Sequence, residues 1–125
     1  MIWIAYDSFT GMSKRFAESL GFPVFSVGDE PPDIGDGSIF LVTRSFRYGE
    51  VPDTTHTFIH NHLDKIVGVA VSGNRNWGLI YGKAGEVIEK EYNIPLVRKF
   101  EASGFDKDKQ FVRDWLNKYN LERRD

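Results

Sequence analysis

The chain contains no cysteine. That excludes thiol nucleophiles, thiolate metal ligands and CxxC redox chemistry, and it argues against a disulfide-stapled secreted domain. A cytoplasmic location is therefore the expectation. Long apolar runs are also missing, since no segment approaches the roughly 18–20 residues of a membrane-spanning helix. Met1-Ile2-Trp3-Ile4-Ala5-Tyr6 runs straight into Asp7, with no basic stretch and too short an apolar run for a secretion signal. Charge of one sign is not in excess: 16 basic residues stand against 18 acidic ones. No basic stripe marks a nucleic-acid binder.

What the chain does have is apolar patterning and aromatic residues. Its 125 residues fit one domain, 1–125, with a polar tail from about residue 119. Ile2 to Tyr6 reads as a buried strand, continuous in apolar and β-branched character. A helix is expected from Ser13, as N-cap, to about Leu20, with Gly21 as its stop. Short strands follow at 24–27 and 38–43, joined by the turn-rich connector 28–37, which shows no helix. Asp53 or Thr54 is expected to cap a helix reaching about Asp64. A strand over 66–71, a helix over 84–92, a strand over 95–100 and a helix capped by Asp106 complete the pattern. That last helix is expected to run to about Tyr119, with Phe111, Val112, Trp115 and Leu116 at core spacing. Strands alternating with helices imply an α/β fold, a parallel sheet covered on both faces.

In such sheets ligands bind beyond the carboxyl ends of the strands. Three loops meet that description. Asp7-Ser8-Phe9-Thr10-Gly11-Met12-Ser13 carries hydroxyls, a glycine and the backbone N–H groups of a helix start, the chemistry of an anion site. It is neither a Walker A loop nor a GxGxxG turn. Arg44 to Pro52 places Phe46 and Tyr48 at a strand end, where a planar ring could stack, with Gly49 allowing close backbone approach. Ser72-Gly73-Asn74-Arg75-Asn76-Trp77-Gly78 adds amides for the edge of a heterocycle and an indole for its face. Each loop alone is compatible with an ordinary cap, a surface turn or aromatics folded back on the core. Together they supply a phosphate cup, aromatic faces and edge-binding amides. Other features carry less. His56 and His60 are four apart on one helix, but residue 57 is Thr and no third ligand is near, so no metal site is expected. No GxSxG elbow occurs. Thr43 and Arg44 stand where a receiver domain would need its phosphoacceptor Asp.

These segments resemble one family. Asp7-Ser8-Phe9-Thr10-Gly11 followed by Lys14-Arg15-Phe16 is similar to the phosphate loop of flavodoxin-like proteins. Tyr48-Gly49-Glu50-Val51-Pro52 and Gly68-Val69-Ala70-Val71-Ser72-Gly73-Asn74-Arg75-Asn76-Trp77-Gly78 resemble the second and third flavin loops of the NrdI family. Pro95-Leu96, Lys99-Phe100-Glu101 and Ser103-Gly104 resemble its fifth strand and following turn. The resemblance implies a flavodoxin-like five-stranded parallel sheet of order 2-1-3-4-5. It also implies flavin mononucleotide (FMN) as cofactor and no catalytic group beyond the flavin. By the same resemblance, Ser8, Phe9, Thr10, Gly11, Met12 and Ser13 hold the phosphate. Ser45, Phe46, Tyr48 and Gly49 line one side of the flavin; Ser72, Gly73, Asn74, Trp77 and Gly78 line the other. The implied function is reduction of dioxygen to superoxide. That oxidant goes to the manganese-containing small subunit of a class Ib ribonucleotide reductase, where it assembles a dimanganese–tyrosyl radical. The electrons are expected from a flavin or a ferredoxin- or thioredoxin-type reductant. A general flavodoxin, shuttling electrons without oxygen chemistry, is the alternative. Met12 replaces the usual Asn, and Arg44-Ser45-Phe46-Arg47 is a more basic opening than the family leads one to expect. Arg44, Arg47 and Arg75 would counter negative charge on a reduced flavin; each otherwise reads as a solvated cation.

Overall fold

The computed structural model describes residues 1–122. Five parallel strands form one sheet in the order β2-β1-β3-β4-β5. They are β1 (Ile2–Tyr6), β2 (Val24–Ser26), β3 (Ser38–Arg44), β4 (Ile66–Gly73) and β5 (Leu96–Glu101). The helices are α1 (Met12–Glu18), α2 (Asp53–His62), α3 (Lys83–Tyr92) and α4 (Asp106–Glu122), with a 3₁₀ segment over Arg75–Ile80. The connection from β2 to β3 has no helix, as its Pro and Gly content predicts.

Strand residues alternate between two cores because successive side chains leave a strand on opposite faces. Ala5, Ile39, Leu41, Val69 and Val71 join Phe58 and Ile59 of α2 and Ala84 and Ile88 of α3 on one face. Ile2, Ile4, Phe40, Val42 and Ala70 join Phe16, Ala17, Val112 and Leu116 of α1 and α4 on the other. A Phe16–Phe100 stack, with ring centroids 3.9 Å apart, ties α1 to β5 in this second core. β3 is buried at every position but the last, the burial expected of a central parallel strand. The β1–β3 pairing runs in unbroken register from Ile2↔Ser38 to Tyr6↔Val42. Both strands therefore end together at one rim.

The helix ends differ from their sequence expectations. Ser13 does not cap α1: the N-cap is Gly11, at φ 92°, and the helix stops at Glu18, before Gly21. Neither Asp53 nor Thr54 caps α2, whose N-cap is Pro52. At α4 the Asp108 carboxylate, rather than that of Asp106, accepts a backbone bond, from the Phe105 N–H at 2.9 Å. Phe111, at core spacing, is about half exposed and lies under the Arg98 guanidinium, 4.8 Å from its ring centroid. α4 continues to Glu122, past the expected polar tail from residue 119; residues 123–125 of that tail lie outside the described residues. Among the described residues no helix is long and apolar enough to cross a membrane.

Candidate functional site

The carboxyl ends of β1, β3 and β4 open into a cavity of about 370 Å³, within the range of small-molecule sites. Its wall comprises Ser8, Phe9, Thr10, Met12 and Ser13 after β1, Arg44, Ser45, Arg47 and Gly49 after β3, and Ser72, Gly73, Asn74, Trp77, Ile80, Tyr81 and Gly82 at and after β4. All three loops singled out in the sequence thus meet in one place. β3 lies between β1 and β4 in the sheet. The hydroxyl-rich loop therefore forms one end of the cavity, the asparagine and aromatic loop the other, and the arginines stand between them.

The first loop is shaped by short-range bonds. The Gly11 N–H donates to Ser8 Oγ at 3.0 Å, and the Arg15 N–H donates to the Gly11 carbonyl at 2.9 Å, the first bond of α1. The Met12, Ser13 and Lys14 N–H groups precede that bond and have no partner within the helix. Ser13 is buried and donates its hydroxyl to the Thr43 carbonyl at 3.1 Å, tying the loop to the end of β3. α1 spans 7 residues, so hydroxyls and loop N–H groups contribute more here than any helix dipole.

Beneath this end lies Asp7, a buried carboxylate. Its Oδ2 accepts from Thr54 Oγ1 at 2.5 Å and Thr55 Oγ1 at 2.6 Å. Thr55 Oγ1 also lies 2.7 Å from Thr43 Oγ1. Oδ1 faces Arg44 Nη2 at 3.8 Å, a loose ion pair. Thr54 and Thr55 therefore serve the floor of the site rather than capping α2. No sequence motif marks this network.

The second loop closes into a tight turn. Phe46 and Glu50 exchange both backbone bonds, at 2.8 and 2.7 Å. Arg47 takes φ 50° and Gly49 φ 92° to make that turn. For Arg47 the left-handed conformation costs about 1 kcal/mol. Phe46 lies outside the cavity wall and meets two cations: the Arg44 and Arg47 guanidinium carbons are 5.8 and 5.1 Å from its ring centroid. Arg44 also lies 5.6 Å from the Phe9 ring. Tyr48 faces a neighbouring open depression with Asp53, His56 and Lys83.

In the third loop the Asn74 side chain accepts from the Asn76 N–H at 2.9 Å, which fixes its amide. Gly78 takes φ 59° and ψ −121°, a combination closed to other residues without strain. It does not line the cavity, nor does Gly11. Tyr48 and Trp77 meet across the loops with ring centroids 5.7 Å apart, so together they form one edge of the mouth rather than two opposed faces. Ile80, Tyr81 and Gly82, absent from the sequence expectation, complete the wall. Arg75 does not line it: the guanidinium lies 5.8 Å from the Tyr81 ring centroid. Its pKa is raised by Tyr81 and, more weakly, Glu101, which leaves it a fixed cation.

Two buried side-chain polar atoms have no hydrogen-bond partner among the described residues, Arg44 Nε and Tyr81 Oη. Both belong to residues of this wall. Unpaired buried polar atoms are costly and rare; the Tyr81 ring lies beside the Arg75 and Lys99 cations. The donor set fits an elongated ligand with an anionic group at the hydroxyl end and a planar heterocycle at the Asn74–Trp77–Tyr81 end. The histidines lie elsewhere: His56 Nδ1 is 2.6 Å and His60 Nε2 3.4 Å from Tyr92 Oη, which couples α2 to α3.

Comparison with known proteins follows the same line. Residues 4–114 match the family model described as NrdI flavodoxin-like. The chain belongs to that family. An NrdI-family relative, Protein NrdI of Macrococcus caseolyticus, is 39% identical over 105 residues, which is 84% of this chain and 81% of that protein. Among solved structures, oxidised Flavodoxin 2 from Bacillus cereus superposes with a TM-score of 0.69 at 19% identity, covering 97% of this chain and 98% of that one. Fusobacterium nucleatum flavodoxin bound to flavin mononucleotide gives 0.66 at 14% identity, with 97% of each chain covered. At these identities the two structures show a shared flavodoxin fold.

Proposed function

We propose that the chain is an FMN-binding flavoprotein that activates a class Ib ribonucleotide reductase. The whole of 1–125 acts as one FMN-binding domain in the cytoplasm. Family membership supports the reading. The observation that carries it to this site is that all three loops meet around one cavity whose wall holds serine and threonine hydroxyls, two arginines, Asn74 and Trp77, and, among the described residues, no carboxylate. In this reading Ser8, Phe9, Thr10, Gly11, Met12 and Ser13 take the phosphate. Ser45 and Gly49 meet the ring system from the second loop, and Ser72, Gly73, Asn74 and Trp77 from the third, while Phe46, Tyr48 and Gly78 shape those loops from outside the wall. The contact between Tyr48 and Trp77 supports a role for the pair at the mouth, limiting solvent access.

Bound FMN supplies one-electron chemistry, by which a dioxygen molecule takes one electron from the reduced flavin and leaves as superoxide. The protein's part is to hold the phosphate, fix the edge of the ring through the Asn74 loop, and leave the mouth open enough for oxygen to enter. The superoxide passes to the manganese-containing small subunit, and a flavin or ferredoxin- or thioredoxin-type reductant restores the electrons.

The test is spectroscopic. Purified protein is mixed with FMN, reduced anaerobically with dithionite and returned to air with a superoxide detector present. A bound-flavin spectrum followed by superoxide release is expected, and manganese-loaded small subunit should then gain its tyrosyl radical. Flavin binding with slow reoxidation and no superoxide would make the protein a plain electron carrier. Failure to bind FMN would remove the reading altogether.

A further inference from the structure

The charge on the cavity wall is one-sided. Arg44 and Arg47 line it, and no Asp or Glu does. The nearby carboxylate, Asp7, lies beneath the wall and is already shared between the hydroxyls of Thr54 and Thr55 and the loose pair with Arg44. Arg47 has no ion-pair partner among the described residues. It is also the residue whose backbone takes the left-handed conformation, φ 50°, inside a turn closed by the reciprocal Phe46–Glu50 bonds. Glycine would adopt that conformation without strain. A strained arginine with an uncompensated charge at a cavity wall is the kind of outlier from which a functional role can be argued.

Position separates the two arginines. Arg44 lies against Phe9, in the hydroxyl-bearing loop, and is tied to Asp7. Arg47 is held against the Phe46 ring, 5.1 Å from its centroid, and has no contact of that kind with Phe9. It emerges from β3, between the hydroxyl end of the cavity and the Asn74–Trp77 end.

Resting on the FMN reading above, we infer that Arg47 selects the redox state of the ligand. Its guanidinium favours the form whose ring system carries negative charge, and so strengthens binding of the fully reduced, anionic flavin relative to the oxidised one. A cation that touched only the phosphate would hold both forms equally, because the phosphate charge does not change. The electron added to the ring is the charge that Arg47 meets. In a half-open site one unit charge a few ångströms away shifts relative affinity by about tenfold.

Two quantities test this: the dissociation constant of oxidised FMN, from quenching of its fluorescence, and the midpoint potential of the second electron, from anaerobic titration against a reference dye. Arg47→Gln should weaken binding of fully reduced FMN about tenfold more than that of the uncharged oxidised and singly reduced forms, which is a fall of about 59 mV in the potential of the second electron. Arg47→Gly, which removes the charge and relaxes the backbone, should give the same fall. Arg47→Lys should retain most of the wild-type potential. Added salt should narrow the gap between wild type and Arg47→Gln, since the site is open to solvent. Equal weakening in both redox states, or no change in either, overturns the inference while leaving FMN binding intact. A wild-type protein that binds no FMN overturns the flavin reading and this inference with it.

Discussion

Gly49 shows how little freedom single positions around the cavity have. Its φ is +92°, and a Cβ built there would stand 2.7 Å from the Cβ of Lys83. Gly49→Ala should therefore cost about 2 kcal/mol, from left-handed strain and a clash with the first turn of α3. Thermal unfolding of the unliganded protein should show it as a midpoint lower by about 5 °C. Positions of this kind were partly legible beforehand. The hydroxyls of the first loop, Asn74 and Trp77 announced themselves because polar and aromatic residues crowd into short connectors. Tyr81 and Gly82 did not, because a Tyr-Gly pair before a helix reads as an ordinary boundary. Asp7 was legible as a residue but not as a floor: its partners Thr54 and Thr55 are 47 and 48 positions away. Local sequence carries no information about such a pairing.

Strands were easier to read than the ends of helices. β1, β3 and β4 are continuous apolar runs because both faces of a central parallel strand are covered. Helix boundaries depend on which carbonyl or carboxylate happens to lie near the first N–H groups, and several candidates sit side by side. Asp108 won over Asp106 because its carboxylate serves two donors at once, the Phe105 N–H and Arg98 Nε, both at 2.9 Å. It is fully buried while doing so. Asp108→Ala should remove the cap and leave Arg98 without its carboxylate, at a cost of about 3 kcal/mol. Chemical denaturation should report that loss, while FMN affinity changes little, since no α4 residue lines the cavity wall. At the opposite pole, α1 is short because its first turn belongs to the binding loop and its last meets the Ser19–Gly21 turn.

Taken as a molecule, the fold keeps its two cores apart from its chemistry. Both hydrophobic clusters lie between sheet and helices, while the cavity wall comes largely from the rim and its loops. That division explains why the architecture could be read from periodicity, whereas the state-selecting role inferred for Arg47 needed a backbone angle. It also bears on durability. Under the proposed function, the protein meets the superoxide it releases before any partner does, and sulfur is the most readily oxidised group it could expose. The chain has no cysteine and 2 methionines. One is Met1, which precedes β1 and so stands at the edge of the sheet opposite the cavity; the other, Met12, sits on the cavity wall with 36% of its surface open. Oxidative wear should therefore concentrate at Met12, as the sulfoxide. Peptide mass spectrometry after repeated cycles of reduction and aeration should find it there, accumulating with the number of cycles, and suppressed when superoxide dismutase and catalase are present. On this view the fraction of Met12 carried as sulfoxide marks how long a population of the protein has been at work.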